Sequence, residues 1–305
     1  MSGSRASAAE AAEADVPGSR PGWHPFAELT KPRLTSLVLA TTALGYLLAA
    51  GSLADPLRLL VAVVGTALIG GGANGLNQWW EVAADARMRR TQGRPFPSGR
   101  ITPRAGVVFC LALTLLGLAL LYVLVNPLTA VLGAVSWGVY LFAYTPLKPR
   151  TTLNTLVGAV SGAVPPVMGW TAATGRLDAG AWVLFAVLFI WQIPHFLAIA
   201  WIYREDYESG GFRMLPVIDP AGAATFRIAL VYCVALMPVT YTAVLVGMGG
   251  WIYLAGATVL GLGMTHAAFR LHRERSVAAA RHLFFASLAY LPVLFLLMLL
   301  DPTAR

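Results

Sequence analysis

The sequence predicts an all-α polytopic membrane protein with about nine transmembrane helices. Three observations carry this. Of its 305 residues, 57% are hydrophobic and only 12% are charged, whereas a soluble domain carries about 25% charged residues. Apolar runs approaching 20 residues recur along nearly the whole chain, and each can cross a hydrocarbon core of about 30 Å as a helix. The runs are continuous, which argues against the short alternating strands of a membrane β-barrel.

Residues 1–27 are rich in Ala, Glu and Ser. They read as a disordered tail, and the absence of an apolar core there argues against a signal peptide. A single membrane domain is expected over 28–305. Lys31 and Arg33 precede the first span, 34–51, and the second is 57–80. Six arginines from Arg87 to Arg104 separate it from the third, 104–124, which runs closely into the fourth, 127–145. Lys148 and Arg150 precede the fifth, 154–173, and the sixth is 180–201. Arg204 and Arg213 lie before the seventh, 223–246. The eighth, 250–270, and the ninth, 282–300, are divided by Arg270, Arg273, Arg275 and Arg281. Gly, Pro and charge clusters set these boundaries.

The loops on the other side carry only Arg58 and Arg176, and Arg305 ends the chain. This asymmetry places the N-terminus and the basic loops in the cytoplasm and the C-terminus opposite. A bacterial cytoplasmic (inner) membrane is expected. The net charge of +8 is mostly this bias, so it needs no nucleic acid, although it also favours anionic lipids and substrates. Cys110 and Cys233 lie inside spans and read as small packing residues. No phosphate-binding G-x-x-x-x-G-K-[ST] loop and no H-E-x-x-H motif occurs.

The second span closes on "GGANGLNQWWEVAAD", 71–85. A helix turns about 100° and rises about 1.5 Å per residue. Asn77, Glu81 and Asp85 therefore form one slow stripe, and Asn74 joins it within an arc of roughly 80°. Asp near mid-membrane costs about 2.5–3.5 kcal/mol on insertion scales, so the stripe should face a wet cavity inside the bundle. The alternative is a solvated helix end anchored by Trp79 and Trp80, which leaves the buried amides unexplained. Acids beside Arg87, Arg89, Arg90, Arg94 and Arg100 point to a polyanion bridged by a cation. Oxygen ligands and a substrate phosphate favour Mg²⁺, and the arginines suit a diphosphate. Arg90 and Arg94 share a face if the helix continues. A second acidic helix end, "WIYREDYESGGFRMLPV", 201–217, adds Arg204, Glu205, Asp206, Glu208 and Arg213 on the same side.

These blocks resemble the UbiA superfamily of intramembrane prenyltransferases, and within it the haem-farnesylating branch. The resemblance covers about residues 28–300. It rests on "ANGLNQWWEVAADARMRRTQGRP" at 73–95, "YTPLKPRTTLNTLVGAVSGAVPPVMGWTAATG" at 144–175 and "WQIPHFLAIAWIYREDYESGG" at 191–211. Glu81 stands where many members have Asp, and Ala83 where many of this branch have a further Asp.

The resemblance implies a UbiA-type bundle with a central cavity opening to the cytoplasmic side. It implies farnesyl transfer from farnesyl diphosphate to a vinyl group of haem b, with water addition, giving haem O and diphosphate. Haem A synthase is the implied downstream partner, and oligomeric state is left open. One or two Mg²⁺ ions are implied on Asn77, Glu81, Asp85 and Asp206. Arg90, Arg94, Lys148, Arg204 and Arg213 are the implied diphosphate ligands. His195, inside the sixth span, is implied in haem positioning, as an iron ligand, a propionate contact or a proton carrier. Asn74 and Asn154 are implied to line the cavity. Pro165 and Pro166 interrupt the backbone ladder of the fifth span, and a kink there would shape the prenyl channel. Two rivals remain: a UbiA-type enzyme acting on a quinone precursor or another ring, and a non-catalytic haem transporter or chaperone.

Overall fold

The computed structural model describes residues 22–51 and 54–302. Most of the expected tail lies outside these. Its last residues do not: α1 (His24–Leu29) begins inside the stretch read as disordered. Phe26 packs against Phe109 and Leu29 is fully buried, so this short helix belongs to the bundle.

The chain continues as α2 (Pro32–Ala50), α3 (Pro56–Trp80), α4 (Val82–Asp85), α5 (Pro103–Leu124) and α6 (Pro127–Gly138). A π-helical segment (Val139–Tyr144) leads into α7 (Thr145–Leu147). Then come α8 (Asn154–Thr174), α9 (Ala179–Ile202), α10 (Arg204–Ser209), α11 (Leu215–Ile218), α12 (Ala223–Leu245), α13 (Trp251–Glu274) and α14 (Val277–Leu300). No strand occurs among the described residues. Nine helices there are long and apolar enough to span a membrane, with α6, the π segment and α7 acting as one.

Local sequence explains the starts. Spans one to four each open on a proline, whose fixed φ and missing N–H suit the first helical position. Asp55, Thr102 and Asn126 cap three of them by accepting backbone N–H bonds. The first span, α2, has no such cap. It starts from Lys31, a non-glycine residue in the left-handed region at φ 49.

The last two spans run longer than hydropathy suggests, α13 to Glu274 and α14 from Val277. Charged residues can extend a helix past the hydrocarbon edge, so charge is a poor end marker here. Arg275 in the left-handed conformation breaks the chain, and Ser276 accepts a bond from Ala279 N–H to start α14.

Packing follows small residues, as expected where lipid offers no hydrophobic drive between helices. A Cβ on Gly45 of α2 would collide with the Pro166 carbonyl of α8, and one on Gly169 with the Thr42 carbonyl. The prolines of α8 do not break it; the helix runs unbroken past Pro165 and Pro166, and both are buried. Likewise α3 lies close to α5, where a Cβ on Gly72 would strike Thr114 and the Cys110 carbonyl. The most buried spans are α8 and α9. They place the ends of α3, α7, α8 and α10 at one basic mouth.

Candidate functional site

Asn77 and Glu81 come from the end of α3, and Asp85 closes α4. Their relative exposures are 1%, 7% and 0%, so the predicted stripe is buried. Asn77 donates from Nδ2 to Thr145 Oγ1 at 3.0 Å, and Thr145 donates to the Tyr140 carbonyl at 2.8 Å. The stripe is thus fastened to the π segment, where the Tyr140 carbonyl accepts from both the backbone N–H and the hydroxyl of Thr145.

Each acid has a cation. Lys148 Nζ donates to Glu81 Oε2 at 2.9 Å. It also lies 2.7 Å from Oε1, an ion-pair contact that leaves that buried oxygen without an aligned hydrogen bond. Arg94 Nη1 sits astride Asp85, 2.8 Å from Oδ1 and 2.7 Å from Oδ2. Lys148 also lies 4.6 Å above the Tyr144 ring and 5.5 Å from that of Phe212. Burial opposes its charge, but Tyr144 and the Glu81 carboxylate hold its pKa above the ordinary lysine value.

A third cation was missed from the sequence as a site residue. Burial, then Arg94 and Lys148, lower the Lys31 pKa to about 7, while Glu81 and Asp85 pull the other way. The ammonium therefore sits in the field of this cluster. Its backbone is pinned there. Asn74 donates to the Thr30 carbonyl at 3.4 Å and to Thr35 Oγ1 at 3.3 Å, and Gln78 donates to the Leu29 carbonyl at 2.9 Å. Asn74, expected to line the cavity, is engaged in holding this turn. The only sequence signal for Lys31 was a lysine just before a span.

The helix does not continue beyond Asp85, so Arg90 and Arg94 share no helix face. Residues 86–100 form successive turns, as Gly93, Pro95, Pro97 and Gly99 dictate. This frees each arginine for a separate partner. Arg87 donates to the carbonyls of Ser209 (3.1 Å) and Gly210 (2.7 Å). Arg100 pairs with Glu28. Arg90 lies over the rings of Tyr203 (5.2 Å) and Tyr207 (5.7 Å).

The second acidic end is brought to the first. Asp206, half-buried, accepts from the Arg89 N–H at 3.2 Å. Arg204 lies over Trp201, 4.7 Å from the ring centre. Arg213 exposes its side chain, and its backbone N–H donates to the Lys148 carbonyl at 2.7 Å. Asn154, fully buried, donates to the carbonyls of Thr151 (2.6 Å) and Arg213 (3.2 Å). It lines a cavity with Tyr144, Thr155, Phe196, Ile199, Ala200, Tyr207 and Met214. His195, next to Phe196, faces α14, with Nδ1 2.8 Å from Ser287 Oγ.

These donors fit Mg²⁺ shared with a ligand better than a closed protein cage. Among the described residues no three His, Cys, Asp or Glu side chains converge as a metal cluster. Glu81 Oε1 and Asn77 Oδ1 remain without aligned donors. Mg²⁺ takes one or two carboxylates and completes its shell from phosphate oxygens and water. Lys31, Arg94 and Lys148 are the basic side chains beside the Glu81 and Asp85 oxygens.

A family model described as the UbiA prenyltransferase family matches residues 38–289. A protoheme IX farnesyltransferase of Solibacter usitatus is 46% identical over 285 residues, covering 90% of this chain and 98% of that protein. A solved digeranylgeranylglyceryl phosphate synthase superposes with a TM-score of 0.78 at 16% identity, covering 92% of this chain and 99% of that one. A UbiA homologue from Archaeoglobus fulgidus, bound to GPP and Mg²⁺, gives 0.64 at 13% identity, covering 90% and 99%. At these identities the two structures bear on fold alone.

Proposed function

Because the chain belongs to the UbiA prenyltransferase family, we propose that its buried acid–base mouth takes farnesyl diphosphate and that the bundle transfers the farnesyl group to haem b, giving haem O and diphosphate. The observation that carries the diphosphate reading is the pairing of Glu81 with Lys148 and of Asp85 with Arg94 in one buried stripe. The acceptor comes from the 46% identity to a protoheme IX farnesyltransferase over most of both chains.

When bound, one or two Mg²⁺ ions would supply positive charge to offset that of the diphosphate. Asn77, Glu81 and Asp85 would hold them, with Asp206 opposite. Lys148, Arg94 and Lys31 orient the leaving diphosphate and receive the negative charge left by the departing electron pair. Arg90, fixed over two tyrosines, guards the mouth. Arg204 and Arg213 contribute to the field around it. The farnesyl chain lies between helices, where apolar walls exclude water from the allylic carbon. The vinyl π electrons of haem form the new C–C bond. Water then adds to the carbon beside the porphyrin ring and loses a proton. His195 and Asn154 position the acceptor.

The protein is an integral membrane protein. The charge of the basic loops supports a mouth at the cytoplasmic face of a bacterial inner membrane, with the C-terminus across the bilayer. Residues 28–305 act as one catalytic domain, and haem A synthase consumes the product.

Purified protein given Mg²⁺, farnesyl diphosphate and either haem or an aromatic acid tests the acceptor. Mass analysis should find haem enlarged by a farnesyl group and one water. Product on the aromatic acid alone would remove the haem assignment and keep the prenyltransferase.

A further inference from the structure

We propose that Ser287 on α14 is a positioning residue for haem: it accepts the Nδ1 proton of His195 and leaves Nε2 as the lone pair that binds the haem iron. The inference rests on the haem-farnesylating function above. It follows from counting protons.

The Ser287 hydroxyl has one proton, and we assign it to the Phe284 carbonyl at 2.6 Å, the shorter of its two contacts. A carbonyl only accepts. Ser287 Oγ therefore meets His195 Nδ1, 2.8 Å away, as an acceptor. Nδ1 carries the proton, and in the neutral ring Nε2 carries none. The ring plane is fixed too. His195 stacks on Trp191 at 4.9 Å and on Phe284 at 5.1 Å between centroids. Trp191 in turn donates its indole N–H to the Ser287 carbonyl at 2.9 Å. One serine thus holds both the histidine and one of its stacking partners.

Nε2 has no hydrogen-bond partner among the described residues, and it is not one of their enclosed unpaired polar atoms. His195 is 9% exposed, and because Nε2 is not among the enclosed unpaired atoms, some of that exposure falls on it. An unprotonated ring nitrogen with no protein partner is open to a ligand. A neutral imidazole whose far N–H is held by an oxygen is the form that binds metals, and such a partner raises ligand basicity. A propionate contact needs an N–H on Nε2, which this tautomer lacks.

Resonance Raman spectra of the purified protein loaded with ferrous haem test this, alongside haem titrations. Wild type should show an iron–imidazole stretch. His195→Ala should lose it and regain it with added imidazole. Ser287→Ala should bind haem tenfold or more weakly and shift the band down. Ser287→Thr keeps the hydroxyl and should match wild type, which separates a lost hydrogen bond from a lost fold. A band that persists in His195→Ala overturns the ligation, and an unshifted band in Ser287→Ala overturns the role of the serine. A wild-type protein that binds haem through His195 yet forms no farnesylated haem would instead overturn the function.

Discussion

Lys31 shows how the site tunes a single residue. Its ammonium is disfavoured by burial and by Arg94 and Lys148, so its pKa falls to about 7. At pH 8 the free site holds it mostly neutral. A bound diphosphate favours the charged form, so a proton must enter with the ligand. Calorimetric titration with a diphosphate analogue, in two buffers of different ionisation enthalpy, should show uptake of up to about one proton at pH 8. Affinity should fall as pH rises from 7 to 9, because each bound ligand then draws its proton from a scarcer supply. Lys31→Met should remove that uptake; equal uptake in the variant would dismiss Lys31 as a ligand. The residues differ in how far the sequence revealed them. Asn77, Glu81 and Asp85 were legible because helical spacing alone aligns them. Lys31 was not, because its place depends on a left-handed turn clamped by Asn74 and Gln78 from another helix. Nor was the division of labour among the arginines, since Arg87 and Arg100 are committed to structural partners only once the 86–100 turns form. Ser287 carried no local signal, and only tertiary packing brings it to His195.

Among the elements, the close contact of α2 with α8 tests how the bundle holds its shape. Gly45 meets the Pro166 carbonyl with no room for a Cβ. Overpacking of this kind costs about 1–3 kcal/mol. Gly45→Val should lower the thermal midpoint in detergent and reduce prenyl transfer together, since α8 carries Asn154 and α2 follows Lys31. An unchanged midpoint would mean that these helices are not packed as described. Spans were the most legible part of the chain because uninterrupted apolar runs admit few other structures. Their ends were less so. The charged ends of α13 and α14 look like a loop by hydropathy, yet only Arg275 and Ser276 separate the helices. The fifth span, expected over 154–173, does continue through Pro165 and Pro166 as α8, with both prolines buried. The π segment before Lys148 left no trace in the periodicity.

At the scale of the whole molecule, one end of the bundle gathers what distant parts of the chain supply. Lys31 precedes the first span, the acid stripe ends the second, Lys148 follows the fourth and Asp206 follows the sixth. Arg87 ties the first acidic loop to the carbonyls of Ser209 and Gly210, and Asp206 returns the tie through the Arg89 N–H. On the proposed reading, the two acidic ends and three cations at this mouth would hold the charged leaving group apart from the apolar chain. The most direct test is diphosphate release by the purified protein, given farnesyl diphosphate and haem, with and without Mg²⁺. Release should require Mg²⁺ and fall about 10²–10³-fold or more in Asp85→Asn and Glu81→Gln while both proteins stay folded. Full-rate release in excess chelator, or in both variants, would contradict the account.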